Sequence, residues 1–106
     1  MANRKLVILS RISDKDGALA PLGTRKEVEG SLVKHNTSAE RVGSDVLYGP
    51  GIELQLPPNQ DPITQMLLTL TDEDIAWPVI IKLARDLQWK VHDPGSGREL
   101  SLKYLF

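Results

Sequence analysis

Apolar positions in this chain gather into two dense runs and several periodic stretches, and each spacing predicts a different element. Lys5-Leu6-Val7-Ile8-Leu9 and Ile63-Thr64-Gln65-Met66-Leu67-Leu68-Thr69-Leu70 are the two most apolar segments. Both are too short for a helix and end at polar residues, which predicts strands buried on both faces. Between Arg41 and Leu56 the pattern is again that of a strand. Val42 and Val46-Leu47-Tyr48 form one half, and Ile52, Leu54 and Leu56 alternate with Glu53 and Gln55 in the other. Gly49-Pro50-Gly51 between the halves is a hairpin turn or a sharp bend.

Two stretches carry helical spacing. Thr24 with Glu27 three residues later forms a capping box, in which two orphan donors of a helix start find side-chain acceptors. Val28, Leu32 and Val33 then make a narrow apolar stripe, and Asn36 supplies a residue able to end the helix in a left-handed turn. Thr71-Asp72-Glu73-Asp74 opens the second helix, with Thr71 as the cap and acids complementing the positive end of the dipole. Ile75, Val79, Leu83 and Leu87 recur every four residues, widened by Ile80 and Ala84. Pro78 lies inside this pattern and predicts a kink or a first turn tightened toward 3₁₀.

Trp89-Lys90-Val91-His92 alternates as a strand, Asp93-Pro94-Gly95-Ser96-Gly97 reads as a turn, and the tail Leu100 to Phe106 alternates again. That tail pairs back as a hairpin strand or lies as an amphipathic edge. The order strand, helix, strand, strand, helix, strand is that of the ferredoxin-like split βαβ arrangement (βαββαβ). It predicts one α+β domain over residues 1–106: an antiparallel sheet, two helices on one face, and an extra C-terminal strand or tail. The two most apolar runs fall on the strands that this topology makes central.

The alternation within those two runs defines a candidate interaction surface. Val7 and Leu9 oppose Leu6 and Ile8, and Leu67 opposes Met66 and Leu68, so the sheet is apolar on the side that the helices leave open. A cover is expected from the tail, through Leu100, Leu102, Tyr104 and Phe106, or from a second copy. Trp77 and Ile81 stand four apart, off the main helical stripe, and either tuck into the core edge or anchor a partner. Val7, Leu9, Leu67, Trp77, Ile81, Tyr104 and Phe106 are therefore the candidate interface residues.

Composition narrows the function classes further. Lys plus Arg number 13 and Asp plus Glu number 14, giving a net charge of −1, which lacks the basic footprint of a nucleic-acid or anionic-membrane binder. The two apolar runs also hold no aromatic on which a base would stack. The chain contains no cysteine, which excludes disulfides, thiolate metal sites and a cysteine nucleophile. The apolar run Leu6 to Leu9 is too short for a signal-peptide core or a membrane span, so a cytoplasmic location is expected.

Catalytic chemistry is sparse. His35 and His92 stand far apart; His35 ends a helix, and His92 with Asp93 supplies at most two metal ligands, where a zinc site needs three or four. Asp72, Glu73 and Asp74 are consecutive on a helix and cannot converge on one ion. Asp14, Asp16 and Gly17 lack the remaining ligands of a calcium loop. No G-x-S-x-G elbow surrounds any serine, and Gly95-Ser96-Gly97 lacks the lysine of a phosphate loop. No metal or cofactor is expected.

The segment Ser10–Gly23 is the one loop placed for binding. It joins a central strand to a helix N-terminus, where backbone N–H groups receive anions, and Arg11, Ser13, Lys15 and Gly17 form its candidate anion site. The sequence thus favours a non-catalytic association module, binding itself or another protein. A regulatory domain that binds a small molecule or anion at the 10–23 loop is the alternative.

Overall fold

Strand β1 (Lys5–Ser10) opens the fold and helix α1 (Arg25–Val33) follows. The hairpin of β2 (Val46–Gly49) and β3 (Ile52–Gln55) comes next, then β4 (Gln65–Leu70), helix α2 (Glu73–Leu87) and β5 (Trp89–His92). The computed structural model describes residues 4–13, 17–41 and 43–100. The strands form one antiparallel five-stranded sheet in the order β2-β3-β4-β1-β5, so the two most apolar strands lie inside it. Architecture and class are thus a small α+β fold with two helices.

The break at Gly49-Pro50-Gly51 is a hairpin turn: Gly49 pairs with Ile52, and Gly51 has φ +73°. The strand before it begins at Val46, later than the expected Arg41. Gly43 has φ +83°, and the Ser44 hydroxyl receives the Val46 N–H, so turn chemistry occupies this approach; Val42 lies outside the described residues. At the start of β4, Ile63 is drawn off the strand. It exchanges backbone bonds with the Leu22–Gly23 segment instead, leaving Gln65 as the first strand residue.

Helix α1 starts with the expected capping box. Glu27 N–H donates to the Thr24 hydroxyl, and Thr24 N–H donates to the Glu27 carboxylate at 3.0 Å. Asn36 takes φ +59° beyond its end. Val28 and Leu32 are buried, but Val33, expected on the same stripe, is exposed. For α2 the cap is Asp72, whose carboxylate accepts from Ile75 N–H, not Thr71. Thr71 and Asp72 instead donate their N–H groups to the Gly51 carbonyl, which ties the hairpin turn to the helix start.

The turn and the helix start also pack closely. A Cβ on Gly51 would stand 2.7 Å from Ala76 N, so glycine is the residue that fits at position 51. Ala76, Ile80, Leu83 and Ala84 face inward, while Ile75, expected at the head of the stripe, is 50% exposed. The α-helix runs unbroken through Pro78 with no 3₁₀ turn. It ends at Gln88 in the left-handed region, φ +57°, without the usual glycine.

One core cluster joins Leu6 and Ile8 of β1, Met66 and Leu68 of β4, Val28 and Leu32 of α1, and Ile80 and Leu83 of α2. Both helices therefore bury their apolar sides against the same set of inward strand positions. The alternate strand positions point away from them. No helix among the described residues is long and apolar enough to cross a membrane.

The capping box has a consequence in acid. The Thr24 backbone and hydroxyl bonds hold the Glu27 carboxyl below its ordinary range, and the His35 hydrogen bond does the same for Asp86. A carboxyl depressed in the folded state stabilises above the unfolded value, and that contribution disappears as pH falls through the folded value. Glu27→Gln is therefore expected to lower the melting temperature near neutral pH. The gap to wild type should close as pH falls below about 4, in thermal melts recorded across the acid range.

Candidate functional site

The helix-free face is laid out by strand register. Its central row reads Val46, Gln55, Leu67, Val7, His92 from β2 to β5. On one side lies the row Tyr48, Glu53, Thr69, Lys5, and on the other Gln65, Leu9, Lys90. Val7, Leu9 and Leu67 are thus neighbours at the middle of the face, each half-buried, within a frame of polar side chains. A groove of about 240 Å³ runs beside them, lined by Val7, Leu67, Gln55, Gln65, Pro57 and Pro58.

Sequence reasoning singled out the apolar centre and missed its frame. Glu53, Gln55, Gln65 and Lys90 were legible as the polar partners in each alternating strand. Only the register places them around one patch.

Both margins of the sheet are occupied. On β2, Tyr48 exchanges two backbone bonds with Ser38, at 3.0 and 2.8 Å, and the Ser44 hydroxyl serves Val46. On β5, Leu100 N–H donates to the Val91 carbonyl and Glu99 bridges His92. The chain therefore turns back along β5 as far as Leu100, whose side chain packs on the core. Tyr104 and Phe106 lie outside the described residues.

Of the two helical candidates, Ile81 is 7% exposed and belongs to the interior of the chain. Trp77 is half-buried against the core edge, with the Arg4 guanidinium 5.7 Å from its ring centre. That distance is a cation–π contact. Neither residue adjoins the Val7–Leu67 patch, which lies on the opposite side of the sheet from α2.

The described parts of the 10–23 loop bond to one another and to their surroundings. Ser13 bridges Leu19, Ala20 N–H donates to the Ile12 carbonyl, and Arg11 pairs with Glu99 at 2.6 Å. Gly17 has φ +86° and is exposed, and Lys15 lies outside the described residues. At the start of α1 two N–H groups have side-chain acceptors: Arg25 N–H donates to the Asp61 carboxylate at 3.0 Å, and Glu27 N–H donates to the Thr24 hydroxyl. The Arg25 guanidinium in turn binds Asp45 and the Pro57 carbonyl. The helix start is thus partly occupied by groups of its own chain.

The histidines stay apart. The Ser31 carbonyl lies 2.8 Å from Nδ1 of His35, and an Asp86 carboxylate oxygen lies 3.3 Å from Nε2. Through these two contacts the ring ties the segment after α1 to α2. His92 Nε2 is buried without a hydrogen-bond partner among the described residues. Asp93 is turned to the Gly95 N–H and to Arg4. No group of three or more His, Asp or Glu side chains able to hold a metal converges among the described residues.

No protein-family model, curated protein or solved structure matches the chain. The functional reading therefore rests on the geometry of the sheet and its surfaces.

Proposed function

We propose that this chain is a non-catalytic association module, one domain over residues 1–106, that buries the helix-free face of its sheet against another protein surface. The observation that carries the reading is the half-buried trio Val7, Leu9 and Leu67 at the middle of that face, on interior strands whose helix-side residues are fully buried. Closure of both margins supports it, because strand addition would need open backbone donors and acceptors. Each apolar side chain taken fully out of water there contributes about 1.5–3 kcal/mol before association costs.

The fold is read as a variant of the ferredoxin-like split βαβ arrangement. Taking β3, β4, β1 and β5 as its four strands leaves β2 as an added edge strand, and every neighbour is antiparallel as that topology requires. A cytoplasmic setting is part of the same reading and accords with a chain free of cysteine.

Leu67→Lys tests the function. Size-exclusion chromatography with light scattering is expected to show a wild-type assembly at tens of micromolar and a folded monomer for the variant. A variant that instead melts far below wild type, with no change in mass, assigns the face to a cover within the chain. A strictly monomeric wild type removes self-association and leaves a different protein as the partner.

A further inference from the structure

The charges framing the helix-free face point to what sits on it. From the centre between Leu67 and Val7, Glu53 lies one strand outward on β3 and one row toward Thr69 and Lys5. Lys90 lies one strand outward on β5 and one row the opposite way, beside Leu9. With strands about 4.8 Å apart and alternate residues about 7 Å apart, each stands about 10 Å from the centre. They occupy opposite ends of one diagonal. Both residues are half-buried, and neither has an ion-pair partner among the described residues.

Two unpaired charges of opposite sign, symmetric about an apolar centre, are the layout of a surface complementary to itself. We propose that this face is a homodimer interface, with two copies packed face to face about a two-fold axis perpendicular to the Glu53–Lys90 diagonal. The inference rests on the association reading above and commits it to a second copy. Under that symmetry Glu53 of each copy meets Lys90 of the other, giving two equivalent ion pairs, as an isologous contact requires. The strands of the two sheets cross near a right angle, one of the two favoured sheet packings. Val7 and Leu67 from both copies fill the centre, and Gln65 falls opposite the other copy's Gln55. The groove beside Pro57 and Pro58 lies on the axis and faces its own copy.

Charge reversal and its repair test the arrangement. Glu53→Lys and Lys90→Glu are each expected to weaken dimerisation at least about tenfold, by light scattering at low salt, because like charges then oppose each other. The double variant E53K/K90E restores the pairs with signs exchanged and is expected to recover near wild-type affinity. Circular dichroism melts verify that each variant is folded.

A second measurement needs no variant. Within one chain the two residues stand about 20 Å apart, so a zero-length carbodiimide amide between them forms only between copies. Wild type mixed from light and ¹⁵N-labelled protein is expected to give the isotopically mixed Glu53–Lys90 crosslink. A wild-type dimer that Leu67→Lys dissociates, yet that ignores both reversals and yields no such crosslink, overturns this docking while the association reading stands. A wild type that never dimerises overturns the homodimer itself.

Discussion

Gly51→Ala should cost about 3 kcal/mol of folding stability, the sum of left-handed backbone strain and overpacking against an immobile neighbour. Gly51 sits at φ +73°, and its added Cβ would meet Ala76 N and Asp72 O at 2.7 Å each. Both are backbone atoms of the α2 start, joined to each other by the Ala76 N–H to Asp72 carbonyl bond, so neither can give way as a side-chain tip would. Gly97 supplies the control. It has the same φ of +73° with nothing within 4 Å of its added Cβ, so Gly97→Ala isolates the backbone term at about 1 kcal/mol. Thermal melts are expected to separate the two variants by roughly 10 °C. Equal losses would mean that the hairpin turn and the helix do not meet as closely as described.

Leu67 and Leu68 are adjacent on β4 and face opposite ways, so one strand offers a paired test of the two sides of the sheet. Leu68 is 0% exposed and lies in the core cluster with Leu54, Leu6 and Ile80. Leu68→Ala removes buried methyl groups and leaves a cavity, at an expected cost of about 3 kcal/mol. Leu67→Ala on the helix-free face is expected to cost about 1 kcal/mol in the separated monomer, since its side chain is only half covered. Urea titrations well below the dimerisation concentration compare the two. Losses of similar size would show that the helix-free face is sealed within the chain.

Local pattern carried most of the elements. The alternation in Lys5–Leu9 and Gln65–Leu70 encodes two faces, and the Thr24–Glu27 box marks the start of α1, because these signals involve neighbours in sequence. The orientation of α2 was not legible in the same way. A four-residue repeat through Ile75, Val79, Leu83 and Leu87 fits one face, but Ala76 is buried beside the Gly51 turn and Ile75 faces solvent. The packing of the helix start against a turn 25 positions away is a tertiary contact, and no periodicity within the helix contains it.

The candidate site divides along the same line. Val7, Leu9 and Leu67 could be assigned to an outer face from alternation alone, whereas their polar frame depends on how four strands align. The capture of Arg11 by Glu99 and of the Arg25 N–H by Asp61 was invisible for a related reason. A loop with arginine and lysine beside a helix start has the composition of an anion site whether or not distant carboxylates already fill it.

The occupied margins of the sheet reach beyond the question of partners. Fibrillar growth needs a folded molecule to template a strand from the next along an unpaired rim, and here Ser38 and Glu99–Leu100 take those positions. A surface rich in leucine and valine can thus be displayed on the flat of the sheet while its sides give crowded chains no nucleus for polymerisation. Under the proposed two-fold docking, a contact made through the flat closes on itself after two molecules, and assembly stays finite.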